Sequence, residues 1–128
     1  MARVLVPLAE GFEELEAVTV IDLLRRGGID VTVAGLAEGP VIGSHGITIE
    51  PDSTLAEALT ADFDMVALPG GLPGSDHLKA DERLRQLLLN RTPRYGNDDD
   101  RADDLMVRAF EAFHDAVDGR PNLRGGQY

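Results

Sequence analysis

The residues best suited to chemistry lie in two short stretches: residues 13–16, Glu-Glu-Leu-Glu, and residues 68–71, Leu-Pro-Gly-Gly. A glutamate can hold or accept a proton, and a glycine-rich turn can direct backbone N–H groups towards an oxygen that becomes negatively charged. Side by side, the two would suit an enzyme that needs a carboxylate next to an oxyanion site. Each also has an ordinary interpretation, because glutamates compensate the dipole at the start of a helix and Pro-Gly-Gly forms turns.

A nucleophile for this pair is missing from the sequence. The 128 residues include no cysteine, which excludes a thiolate nucleophile, a disulfide and a thiolate metal site. Ser44, Ser53 and Ser75 do not replace it, because none is predicted to lie on a strand-to-helix elbow with a base beside it. The carboxylate and the glycine turn therefore have nothing in this chain to activate.

No cofactor or metal centre is predicted from the sequence. His45, His77 and His114 are far apart along the chain, without the short spacing typical of metal ligands. The aspartates between residues 98 and 104 lack the alternating ligands and central glycine of a calcium loop. A solvated helix start is the simpler interpretation of that acidic cluster.

The hydrophobic pattern predicts an α/β fold built on parallel strands. An apolar run over residues 3–8 is typical of a strand buried on both faces, and helical spacing follows from Glu13 to the glycines at 27 and 28. A second strand is predicted over 29–34 and a third over 62–68. Because the carboxyl ends of parallel strands meet at one edge of a sheet, we expect the glutamates after the first strand to lie near the glycine turn after the third.

The other predicted elements divide the chain into two segments. Two short strands around a turn over 40–49, a short helix over 54–59 and a helix from Asp81 complete an α/β domain over residues 1–90. Residues 91–128 are predicted to form a turn, an amphipathic helix over 98–117 and a polar tail.

Charge and hydropathy limit the partners and the location of the protein. The net charge of −11 argues against binding to nucleic acid or to an anionic membrane surface. No apolar run approaches the roughly 20 residues that a transmembrane helix needs, and the first residues do not have the pattern of a signal peptide. We therefore predict a cytoplasmic protein that binds neither nucleic acid nor membrane.

Residues 1–89 resemble the N-terminal half of the ThiJ/PfpI superfamily, of the Parkinsonism-associated deglycase type. The resemblance rests on RVLVPLAEGFEELEAVTVIDLLRRGGIDVTVAGLAEGPVIGSHGITIEPDSTL and DFDMVALPGGLPG, where residue types and spacing both match. It implies a flavodoxin-like (class I glutamine-amidotransferase-like) parallel sheet, here partial and followed by an added C-terminal helix. It also implies dimers and a role in reactive-carbonyl or oxidative-stress defence, of the glyoxalase or deglycase type.

The same resemblance gives individual residues a role. It puts Glu16 in the place of the family's site glutamate, and Gly70 and Gly71 in the oxyanion turn. His45 falls in the segment that approaches the partner subunit's site, where related proteins carry an arginine. The family's nucleophile is a cysteine on a strained strand-to-helix elbow, expected shortly after the helix that begins at Asp81, and this chain leaves the family pattern at about residue 90 without it.

The last part of the chain resembles a different family. Residues 92–128 are similar to an internal stretch of glycyl radical enzymes of the pyruvate-formate-lyase-like and dehydratase group, but contain neither their thiyl cysteine nor their C-terminal glycyl-radical loop. We therefore expect a catalytically inactive, truncated chimera of two unrelated half-sequences. The alternatives are a non-catalytic module that binds a small molecule or a protein, and residual glyoxalase or deglycase activity.

Self-association is the expected partner interaction. Without the family's elbow strand, the strand over 64–68 would be an open apolar edge, which favours pairing with another chain into dimers or larger species. Small carbonyl compounds such as methylglyoxal are the other candidate partners.

Overall fold

The computed structural model describes residues 2–91 of the chain. The helix predicted over 98–117 and the second predicted segment, 91–128, lie outside the described residues apart from position 91. In chain order the elements are β1 (Arg3–Leu8), α1 (Glu14–Arg26), β2 (Asp30–Gly35), β3 (Val41–Ile42), β4 (Thr48–Ile49), β5 (Ser53–Thr54), α2 (Leu55–Ala58), β6 (Met65–Val66), α3 (Gly74–Ala80) and α4 (Glu82–Arg91).

The predicted α/β fold with a parallel sheet is confirmed. Four strands form this sheet in the order β5-β2-β1-β6, and every neighbouring pair in it is parallel. β1 pairs with β2 along all six of its residues and with β6 on its other side. β3 and β4 form a separate antiparallel hairpin, as predicted for residues 40–49.

The number and lengths of the strands differ from the prediction. The sheet has a fourth parallel strand, β5, because Ser53 and Thr54 pair with the end of β2; two polar residues give no apolar run that could have predicted it. The third predicted strand, over 62–68, is shorter in the structure, where β6 comprises Met65 and Val66. The flanking amides of Asp64 and Ala67 also donate to the Arg3 and Leu5 carbonyls of β1 (2.8 and 2.9 Å), and the Asp64 carboxylate accepts a hydrogen bond from the Arg3 amide (2.8 Å).

The helix α3 was not predicted. Its N-terminal flank is Leu-Pro-Gly, which is typical of a turn, and no side chain caps its start. Burial of Leu78 in the core explains why a helix forms there. The helix expected from Asp81 is α4, and Asp81 lies just before it, where its carboxylate accepts a hydrogen bond from the Leu84 amide (3.1 Å).

The two faces of the sheet carry separate apolar clusters. Successive residues of β1 point to opposite faces, so Leu5 belongs to one cluster and Val4 and Val6 to the other. α1 covers the second face with Ala17 and Ile21, which brings its first turn to the carboxyl end of β1. The other helices contribute three buried leucines to the first face: Leu55, Leu78 and Leu84.

No helix within residues 2–91 combines the length and the apolar character needed to cross a bilayer.

Candidate functional site

The glycine turn after β6 lies directly against the turn between β1 and α1. The Glu13 amide donates a hydrogen bond to the Gly70 carbonyl (2.8 Å), and the Gly74 amide donates to the Gly11 carbonyl (3.3 Å). The structure therefore brings together the two stretches that the sequence singled out, at the carboxyl ends of β1 and β6. This contact is made by the backbone.

Gly71 allows this close approach because it has no side chain. Its φ is +98°, and a Cβ at this position would lie 2.8 Å from the Gly11 carbonyl oxygen and 2.8 Å from the Phe12 carbonyl carbon. Within residues 2–91, neither the Gly70 nor the Gly71 amide donates a hydrogen bond. A glycine turn with these two N–H groups uncommitted is suited to bind an oxyanion.

Glu16 lies on the first turns of α1, one turn after the backbone contact with Gly70. Its side chain is buried, and both carboxylate oxygens are shielded from solvent. A buried carboxylate in this position is the kind of group that could hold a proton during a reaction. The predicted roles of Glu16, Gly70 and Gly71 in catalysis remain predictions.

Glu14 accepts several hydrogen bonds at this end of α1, although no sequence pattern distinguishes it from the neighbouring glutamates. Its Oε2 accepts hydrogen bonds from the His45 amide (2.8 Å) and the Ile47 amide (3.1 Å). Its Oε1 accepts one from the Ser44 hydroxyl (3.3 Å) and lies 3.1 Å from the His45 Nδ1. One buried carboxylate thus fastens the β3–β4 turn to the start of α1.

Gly43 makes room for the Glu14 carboxylate. A Cβ built on Gly43 would collide with the carboxyl end of this side chain. The β3–β4 turn is closed by a hydrogen bond from the Gly43 amide to the Ile47 carbonyl (2.8 Å) and held to the β1–α1 turn by one from the Ser44 amide to the Phe12 carbonyl (2.8 Å). The only signal in the sequence is a glycine before Ser-His, which does not identify a glutamate 29 residues earlier.

These contacts change the proton affinities of Glu14 and His45. Burial acts to raise the pKa of Glu14, but the hydrogen bonds from the Ile47 amide and from the His45 side chain and amide outweigh it and lower the pKa from 4.5 to about 2. The hydrogen bond to Glu14, with the negative charges of Glu13 and Glu14, raises the pKa of the His45 imidazole. Both shifts favour an ion pair.

His45 thus has contacts within its own chain. The resemblance had placed it beside a partner subunit's site, which stays a prediction. Here its Nδ1 lies between two carboxylates of α1, 3.1 Å from Glu14 Oε1 and 3.7 Å from Glu13 Oε1, while 68% of its side chain remains exposed.

Comparison with known proteins identifies the family of the chain. The profile of the DJ-1/PfpI family matches residues 2–92. The chain belongs to the DJ-1/PfpI family. The predicted resemblance to ThiJ/PfpI proteins is therefore confirmed.

Curated relatives show which part of a DJ-1/PfpI protein is present. The chain is 45% identical over 96 residues to the Parkinson disease protein 7 homolog of Danio rerio, which covers 73% of this chain and 51% of that protein. It is 45% identical over 87 residues to protein DJ-1 homolog B of Arabidopsis thaliana, covering 67% of this chain and 20% of that protein. The chain thus spans between a fifth and about half the length of these relatives.

Solved structures support the same fold. Drosophila melanogaster DJ-1beta is similar with a TM-score of 0.68 and 43% identity, covering 70% of this chain and 49% of that one. Oxidized Toxoplasma gondii DJ-1 gives a TM-score of 0.69 at 35% identity, covering 71% of this chain and 50% of that one. The predicted flavodoxin-like, class I glutamine-amidotransferase-like fold is confirmed.

A similar protein of a different kind also matches the chain. Trans-4-hydroxy-L-proline dehydratase of Clostridioides difficile is 38% identical over 84 residues, covering 59% of this chain but 10% of that protein. This match gives weak support to the resemblance to glycyl radical enzymes of the dehydratase group.

Replacing Gly71 by alanine tests the close approach of the two turns. Gly28 also has a positive φ (+78°), but a Cβ there would meet nothing within 4 Å. Both substitutions strain the backbone, and only the Gly71 change also forces the turns apart, so we expect Gly71→Ala to lower the free energy of unfolding by about 1–3 kcal/mol more than Gly28→Ala. Urea denaturation of both variants measures the difference; equal losses would contradict the packing described here.

Replacing Glu14 by glutamine tests how its carboxylate attaches the β3–β4 turn to α1, through the pH dependence of stability. Because folding lowers the pKa of Glu14 from 4.5 to about 2, its contribution to stability is present above about pH 4.5 and is lost as the pH falls towards 2. Glu14→Gln should therefore be less stable near neutral pH and lose less stability between pH 5 and 2 than the wild type. Urea denaturation across this range, with the exposed Glu38→Gln as control, measures both; parallel curves for wild type and Glu14→Gln would contradict the ion pair.

Proposed function

We propose that this chain is a DJ-1/PfpI-family protein of reactive-carbonyl or oxidative-stress defence ancestry that does not itself catalyse a glyoxalase or deglycase reaction. The observation that carries the proposal is the sequence itself: no residue of the 128 is a cysteine, although the resemblance assigns Glu16 to the family's site glutamate and Gly70-Gly71 to its oxyanion turn. The proposed location is the cytoplasm.

The chemistry explains why a thiol matters. In a cysteine-dependent reaction the thiolate attacks the aldehyde carbon of a compound such as methylglyoxal, and a C–S bond forms while the carbonyl oxygen becomes an oxyanion. N–H groups of a glycine turn would stabilise that oxygen, and a carboxylate would assist the proton transfers that follow. Without a thiolate, the first bond does not form and neither group has an intermediate to act on.

The burial of Glu16 supports the same proposal. Its two carboxylate oxygens are shielded from solvent, so a dissolved carbonyl compound reaches them only after a local rearrangement. The Gly70 and Gly71 N–H groups alone could bind a carbonyl oxygen, but binding without a covalent step gives no turnover.

Incubation of the purified 128-residue chain with methylglyoxal tests the proposal. We expect lactate to form at the rate of the protein-free buffer, and the same result for Glu16→Gln, because the covalent step has no nucleophile; loss of methylglyoxal should not exceed the amount that modifies the arginine and lysine side chains of the chain. Turnover that disappears in Glu16→Gln would overturn the requirement for a cysteine. Hydroxyacetone, which lacks the aldehyde that modifies arginine, provides a binding probe: shifts of the Gly70 and Gly71 amides in NMR spectra without turnover would favour the binding module instead.

We also propose that the chain self-associates. β6 is the last strand on its side of the sheet formed by residues 2–91, and Met65 is 46% exposed; an open strand edge of this kind favours pairing. A second apolar surface lies on α1 and the β3–β4 turn, where Leu15, Val18 and Ile47 are exposed.

Two charged substitutions distinguish the two surfaces. If the sheet edge pairs, Met65→Lys should shift the protein towards the monomer, because a lysine on an edge strand opposes pairing; if α1 forms the contact, Val18→Asp should do so instead. Sedimentation velocity over a concentration series measures the species. A wild-type chain that remains monomeric at the highest concentration would contradict self-association.

A further inference from the structure

Three side chains that can bind a metal ion converge where the β3–β4 turn meets the start of α1. They are Glu13, Glu14 and His45, and one donor atom of each lies within 4.8 Å of the other two. The two glutamates are neighbours at the start of the helix, whereas His45 comes from a different element 31 residues after Glu14. A search by spacing along the sequence cannot find this set, since the fold alone brings the histidine to the glutamates.

The distances fit a small divalent ion. Zn²⁺ binds imidazole nitrogen and carboxylate oxygen at about 2.0–2.2 Å, so two ligands of a tetrahedral ion are about 3.4 Å apart. The His45 Nδ1 is 3.1 Å from Glu14 Oε1 and 3.7 Å from Glu13 Oε1, on either side of that value. Small side-chain movements would therefore allow the three donors to share one ion.

We propose that Glu13, Glu14 and His45 form a binding site for a divalent transition-metal ion, with Zn²⁺ the representative case. Such an ion would lie between the His45 Nδ1 and the two carboxylates, with a water molecule in the remaining position. This mixed set of one nitrogen and two oxygens suits Zn²⁺ better than Mg²⁺ or Ca²⁺, which prefer oxygen ligands throughout. The site is separate from Glu16 and does not depend on the proposed function.

The Glu14 carboxylate is already oriented for this role. Its Oε2 is held by the amides of His45 and Ile47, while its Oε1 accepts a hydrogen bond from the Ser44 hydroxyl (3.3 Å) and lies 3.1 Å from the imidazole Nδ1. Hydrogen bonds of this kind to a ligating carboxylate fix its geometry and strengthen metal binding. The absence of a side chain at Gly43 leaves the space that the carboxylate occupies.

The other two ligands are more accessible. The Glu13 side chain is 29% exposed and that of His45 is 68% exposed, so an ion can enter from solvent without opening the core. Glu13 also caps α1 by accepting a hydrogen bond from the Leu15 amide (3.3 Å). A glutamine at this position retains a carbonyl oxygen for that cap but is a weaker metal ligand.

Isothermal titration of the full chain with Zn²⁺ tests the site. We expect one equivalent to bind to the wild type, and His45→Asn and Glu13→Gln each to weaken that binding at least tenfold, while His77→Asn, which removes another exposed histidine, should bind as the wild type does. In NMR spectra the imidazole of His45 should shift in step with the added Zn²⁺.

Two results would overturn the site. One is a wild-type chain that binds no Zn²⁺, which would leave the cluster as an ion pair only. The other is wild-type affinity in His45→Asn, which would place the bound ion elsewhere on the chain. Circular dichroism of each variant, compared with the wild type, checks that a variant with weakened Zn²⁺ binding is still folded.

Discussion

β1 is the strand on which the described fold depends, because both of its edges are paired and both of its faces are buried. Its pairing with β2 and β6 sets the parallel order of the sheet, and its alternating side chains divide the core into two clusters. The position of α1 on one face follows from this arrangement. The β1–α1 turn also meets the glycine turn after β6, because both turns leave the sheet at the carboxyl ends of adjacent strands.

The sequence predicted these features because each rests on a local pattern with a physical cause. An apolar run predicted β1, and the topological rule for parallel strands predicted that residues 13–16 lie near residues 68–71. The prediction missed elements whose stability comes from tertiary packing. β5 consists of two polar residues that pair with the end of β2, and α3 follows a Pro-Gly pair that is typical of turns; what stabilises it is the burial of Leu78.

The candidate site was only half predictable for the same reason. Its backbone contact follows from topology, but the hydrogen bonds of Glu14 depend on the path of the β3–β4 turn. That turn folds back on α1 because the carboxylate accepts hydrogen bonds from its amides, and because Gly43 leaves room for the carboxylate. No spacing in the sequence reports such a contact, since it joins residues about 30 positions apart through a buried charge.

Glu14 and Glu16 show how two similar residues can acquire different roles on one helix. Positions i and i+2 of a helix do not face each other, so the two carboxylates are buried in different surroundings. Glu14 meets the β3–β4 turn, and its lowered pKa comes from the amides of that turn; its removal should therefore change stability and its pH dependence. The hydrogen bonds from the β3–β4 turn go to Glu14 and not to Glu16. If replacement of Glu16 changes ligand binding but leaves the pH dependence of stability as in the wild type, then Glu16 serves binding and Glu14 serves stability at the same end of α1.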